Sequence, residues 1–204
     1  MLTPFTLFSL VRHAGLFAVR SALIALTLLA PTVSHASDLS DALRSSEYVL
    51  LIRHAYAPGV GDPANFTLAD CKSQRNLNDE GRNQALRIGT WLKQQGVASA
   101  QVYASPWCRC KDTAELMKFD GFKLEASLAS FFNDMYKAKE SNTKLQHFIA
   151  ERIKTKGQQA LILVTHHVNI YEYMGENIGS GDMVLVKVNA EGGAISHKTI
   201  RRPD

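Results

Sequence analysis

The chain has 204 residues, 46% hydrophobic and 21% charged, with 13 Gly and 6 Pro, which fits one globular domain and excludes a disordered, collagen-like or coiled-coil chain. Lys and Arg number 23 against 19 Asp and Glu. Three cysteines are too few for a disulfide scaffold and lack the paired spacing of a structural zinc site. Residues 1–36 carry Arg12 and Arg20 and no acid, then an apolar run from Ala22 to Ala30, then Ser34 and Ala36 flanking His35. This is the pattern of a secretory signal peptide cleaved after Ala36, leaving a domain over 37–204. As an uncleaved anchor the run is too short, since it meets Pro31 and falls below the ~20 apolar residues that a membrane span needs. Cleavage removes two arginines and no acid, so the remainder is close to neutral. Such a chain has neither the basic face nor the reading motif of a nucleic-acid binder. The expected location is periplasmic or secreted, with no stable membrane span after cleavage. There Cys71, Cys108 and Cys110 form one disulfide and leave one thiol, Cys71 pairing with either of the other two.

Tyr48 to Ile52 is a short unbroken apolar run, the pattern of a strand covered on both faces. A long irregular piece, Ala55 to Arg75, follows; loops of that length in a compact domain are functional or clamped, here by the disulfide. Asn78-Asp79-Glu80 reads as an N-cap and acidic first turn, Ala85, Ile88, Gly89 and Leu92 recur at helical spacing, and Gly96 ends the segment. Ala100 to Ala104 is the next strand. Ser105-Pro106 predicts an N-cap with proline in the first turn of a helix running to about Met117. Leu145, Phe148, Ile149 and Ile153 mark another helix, Ala160 to Val164 a second buried strand, and Asn169 to Met174 a short helix ended by Gly175. Met183 to Val188 and Ala194 to Ile200 are closing strands around Glu191-Gly192-Gly193. The locally basic stretch from Lys137 to Lys156 is read as a solvated helix face rather than an anion-binding surface. Alternating strands and helices predict a three-layer α/β/α sandwich with a mainly parallel central sheet.

Ligands of open parallel sheets bind beyond the carboxyl ends of the strands. The first strand ends in Arg53-His54, the second leads through Ser105 into the segment carrying Arg109, and the third ends in Thr165-His166-His167. Two arginines and two or three histidines thus meet on one rim, with helix N-termini that favour anions. Such a rim suits phosphate.

The pieces Arg53-His54, Ser105-Pro106-Trp107-Cys108-Arg109 with Thr113, Val164-Thr165-His166, and Arg75-Asn76-Leu77-Asn78 with Gly81 and Gln84-Ala85 together resemble the histidine phosphatase superfamily, its phosphoglycerate mutase-like branch. The match runs from about Tyr48 to Tyr173, and the leader makes the chain similar to small exported bacterial members. The resemblance implies a phosphoglycerate mutase-like fold and a phosphomonoesterase acting through a phosphohistidine. On that pattern His54 is the nucleophile, Arg53 and Arg109 hold the phosphoryl group, His166 adds a third cationic donor if protonated, and no cofactor or metal takes part. The expected partner is a small or sugar-type phosphorylated substrate, such as an envelope glycan phosphate. The family's carboxyl group that protonates the leaving oxygen has no strict counterpart in Leu128 to Asp134, so Asp134 is the candidate general acid, against its reading as a surface loop aspartate. The alternative from another class is an inactive member that binds a phosphorylated envelope ligand. Arg12-His13 copies the arginine-histidine pair but lies in the leader, and is read as coincidence.

Each remaining residue has a plainer reading. A zinc site at His54 and His166 is disfavoured because the arginines would repel a cation. On an extended segment His167 should point away from His166, in a packing or wall role. His147 and His197 are read as structural, with nothing around them in the sequence, Arg75 as an exposed loop arginine, and Trp107, Phe131 and Phe132 as either cleft wall or core.

Overall fold

The computed structural model describes residues 38–204; the signal-peptide reading of 1–36 lies outside them. The order is α1 (Asp38–Arg44), β1 (Tyr48–Arg53), α2 (Asp79–Gln94), β2 (Ala100–Ala104), α3 (Cys108–Leu116), β3 (Lys123–Leu124), α4 (Ala138–Thr155), β4 (Ala160–Thr165), α5 (His167–Met174), β5 (Met183–Val188) and β6 (Ala194–Ile200). The six strands lie side by side as β3-β2-β4-β1-β5-β6. From β3 to β1 the pairings are parallel, and β5 and β6 are antiparallel additions at the β1 side. Among the described residues no helix is long and apolar enough to cross a membrane.

Unbroken apolar strands make sense here because both faces of the sheet are covered. Leu50 and Ile52 of β1 and Ile162 and Val164 of β4 pack with α1, α2 and α3; Val49, Leu51, Leu161 and Leu163 pack on the other side with α4 and α5. Period-two alternation therefore feeds two separate apolar layers, and each fully buried Leu or Ile contributes about 1.5–3 kcal/mol. Asn78 caps α2 by accepting from the Gly81 N–H. Gly81 is required there, because a Cβ would fall 1.9 Å from the Tyr56 carbonyl oxygen. Gly175 closes α5 in the left-handed conformation at φ 77°.

Three elements differ from the expectation. The helix carrying Arg109 begins at Cys108 rather than at Pro106, with Trp107 as its N-cap residue and no side-chain cap. The Ser105 hydroxyl accepts from the Trp107 N–H at 3.4 Å, just before the helix, and lies 2.8 Å from His166 Nε2. Neither α1 nor the two-residue β3 was foreseen: α1 has only seven residues and β3 is too short to show a period. Lys156 fixes α1 by donating from its buried ammonium to the Leu43 and Gln159 carbonyl oxygens.

Candidate active site

Strand register brings the rim together. Arg53 pairs with Thr165 across β1 and β4, and Ala104 with Val164 across β2 and β4. The ladder then runs one step past the strands: the His54 N–H donates to the Thr165 carbonyl and the Ser105 N–H to the Val164 carbonyl. Arg53, His54, Arg109 and His166 consequently line one cleft of about 490 Å3, with His167 and Asp134 also on its wall.

His54 is buried and lies 5.5 Å from His166, ring centre to ring centre. Its Nδ1 is 2.8 Å from the Ala55 carbonyl oxygen. A carbonyl only accepts, so Nδ1 carries the proton and the Nε2 lone pair is left bare. Burial, and then the Arg109 charge, push the His54 pKa well below the ordinary imidazole value, with Arg53 and Arg75 acting in the same direction. The ring is neutral and nucleophilic at neutral pH.

Arg109 is only 3% exposed. Its Nη1 donates to both carboxylate oxygens of Asp62 at 2.9 and 3.1 Å, and its Nη2 lies 3.4 Å from His166 Nδ1. Guanidinium has no acceptor, so His166 accepts at Nδ1 and its ring proton sits on Nε2, facing Ser105. Burial first, then the charges of His54 and Arg109, hold His166 well below the usual imidazole value. The resemblance counts His166 as a third cationic donor only if it is protonated, and burial with the neighbouring charges favours the neutral ring. Arg53 donates from Nη1 to the Ile178 carbonyl. The Nε–H groups of both Arg53 and Arg109 are buried without a partner, a costly state that an anion in the cleft would relieve.

Asp62 was missed by sequence reasoning. Its side chain is 5% exposed, and besides Arg109 it accepts from the Trp107 indole N–H and the Arg75 backbone N–H. Gly61-Asp62-Pro63 reads as a turn, and no local pattern indicates that this turn folds back onto α3. The disulfide explains how it can: Cys71 pairs with Cys108, tying the long loop to the start of α3, while Cys110 is free and buried. Burial raises the Cys110 thiol to about 12, so it stays protonated beside His166.

Arg75 is half-buried rather than exposed: its side chain donates to the Ala57 and Gly61 carbonyls, and it lines the cleft. His167 opens α5 instead of continuing a strand, so the alternation argument fails and it lines the same cleft as His166, 5.9 Å from the Phe132 ring. His147 and His197 do have neighbours, Glu151 and Glu176. Trp107 and Phe131 are both buried and cleft-lining, while Phe132 is exposed at the mouth. Asp134 is 43% exposed and its carboxylate is 2.9 Å from the Lys137 ammonium.

The family model described as histidine phosphatase superfamily (branch 1) matches residues 49–136. The matched segment is 88 of the chain's 204 residues and holds Arg53, His54 and Arg109. The chain is a phosphatase of the histidine-nucleophile class. Its fold is shared by the protein histidine phosphatase SixA complexed with tungstate, at 18% identity and TM-score 0.50 over 76% of this chain and 95% of that one. Phosphoserine phosphatase from Entamoeba histolytica, in complex with 3-phosphoglyceric acid, aligns at 14% identity and TM-score 0.54 over 77% and 96%. A mycobacterial glucosyl-3-phosphoglycerate phosphatase aligns at 13% identity and TM-score 0.51 over 69% and 92%. No curated protein matches the sequence. The segment matched by the family model brings Arg53, His54 and Arg109 to the cleft described above.

Proposed function

We propose that the chain is an exported phosphomonoesterase in which His54 forms a phosphohistidine. The observation that carries this reading is the pairing of a bare, neutral His54 Nε2 with two buried arginine N–H groups that have no partner in the same cleft. A phosphate monoester satisfies both: its non-bridging oxygens accept from Arg53 and Arg109 while phosphorus meets Nε2. The Nε2 lone pair forms the P–N bond as the ester P–O bond breaks, and its electrons leave on the alcohol oxygen. Asp134 is the proposed donor of the proton that this oxygen takes up. Water then attacks phosphorus, Asp134 takes the proton released, and the P–N electrons return to Nε2 with inorganic phosphate as product. Arg53 and Arg109 stabilise the charge spreading over phosphorus in both steps, and a dianion beside His166 favours its protonated form. The leader pattern of residues 1–36 supports export.

The test is hydrolysis of an activated aryl phosphate by the purified 37–204 chain, which needs little acid assistance at the leaving oxygen. Turnover is expected and should vanish in His54→Ala. Phosphate or vanadate binding with no turnover in the unmutated protein would contradict the reading.

A further inference from the structure

The phosphate end of the cleft leaves open what the alcohol half of the ester is, and the outer walls bear on that. Rings line them in two pairs. Trp107 lies 5.4 Å from His166 and 6.0 Å from Phe66, and Phe132 lies 5.9 Å from His167. The two bordering loops meet at the mouth: a Cβ on Gly61 would stand 3.6 Å from Phe132 Cε1. On either side of that meeting point the apolar surface is bare, with Val60 87% and Phe132 40% exposed. Asn133 and His167 are the wall side chains left to read hydroxyls. Asp62 is committed to Arg109, Trp107 and Arg75, Asp134 is paired with Lys137, and the Ser130 hydroxyl already accepts from the Phe132 N–H. A polyol placed here would leave several hydroxyls against rings, each losing its water without a replacement bond. An apolar or aromatic group would instead cover Val60 and Phe132 and pack between rings.

We infer that the alcohol half of the substrate is apolar or aromatic, seated between Phe132 and the Trp107–Phe66 pair. This rests on the phosphomonoesterase reading and replaces the sugar-type alcohol expected from the sequence. Val60 and Phe132 determine specificity, and the phosphate-binding arginines do not distinguish one alcohol from another.

The experiment compares kcat/KM for benzyl phosphate and a hexose 6-phosphate, both esters of primary alcohols, so leaving-group ability is nearly matched. A preference of about tenfold or more for benzyl phosphate is expected, falling toward parity in Phe132→Ser and in Val60→Ser. Both residues are exposed, and an unchanged melting transition checks that the fold is kept. Phosphatidate in phosphatidylcholine vesicles is the third substrate: its hydrolysis places the apolar alcohol at a bilayer, whereas cleavage of benzyl phosphate alone places it in solution, and both agree with the inference. Equal rates or a preference for the sugar ester, with the activated aryl phosphate still cleaved, would overturn the inference and leave the phosphatase reading standing. Failure on every ester, the aryl one included, would overturn both.

Discussion

The cleft has a floor and walls of different origin. Its floor, Arg53, His54 and His166, hangs on two adjacent strands, β1 and β4, whose hydrogen-bond ladder continues into the rim. Its walls come from the 55–75 loop and the segment 129–137, which have little regular structure and are held by side-chain bonds, one buried ion pair and a disulfide. The difference teaches that position in the floor follows from the sheet, whereas position in the walls depends on cross-links between segments distant in the chain. Arg109 joins the two, since it stands on α3 next to Cys108 and pairs with Asp62.

Changes to the floor should cost turnover with the fold intact. His54→Ala is expected to lose about 10⁴-fold or more of kcat/KM on an aryl phosphate with a melting transition close to the parent's, and Arg109→Ala about 10²–10³-fold of kcat together with some stability, because it leaves the Asp62 carboxylate buried without its partner. Changes to the walls should cost stability first. Cys71→Ser frees a loop of sequence separation 37, for which chain entropy predicts a loss of about 4 kcal/mol in denaturant unfolding. Asp62→Asn leaves the Arg109 charge buried with a weaker partner, and a loss of up to about 3 kcal/mol is expected, with a smaller drop in kcat than Arg109→Ala gives. A wall variant that abolishes turnover at full stability would erase the distinction.

Acid should act more gently. His54 and His166 are held below their ordinary pKa in the folded chain, so below about pH 6.5 the unfolded chain binds protons that the folded chain refuses. Their contribution is thus fully present above pH 6.5 and is lost as pH falls. Melting temperatures should decline from pH 7 to pH 5, and the decline should be shallower in His166→Asn. The same shift keeps His54 neutral in mild acid, so the acid limb of the rate profile should lie below the usual imidazole range.

How much was legible follows the same division. Tyr48 to Ile52 and Ala160 to Val164 could be read as central strands because covering both faces demands an unbroken apolar run, and their ends then placed Arg53, His54 and His166 on one rim. The start of α3 was misread because Ser105-Pro106 has the local chemistry of a helix N-terminus, while the hydroxyl faces, besides the Trp107 N–H, a histidine 61 residues along the chain. Asp62 and Arg75 were invisible or discounted for a related reason: a Gly-Asp-Pro turn and a loop arginine carry no period, and their burial is decided by Arg109 and by backbone carbonyls that only the folded loop presents. His167 was placed by strand alternation although the helix begins at that residue.

The central claim is that His54 Nε2 becomes covalently attached to phosphorus. Rapid mixing with labelled phosphate ester, an alkaline quench and peptide mapping test it directly. The account predicts a phosphoryl group on the peptide bearing His54, stable in alkali, lost in acid and missing from His54→Ala. Label on another residue, or steady hydrolysis with no phosphoprotein at any mixing time, would contradict it.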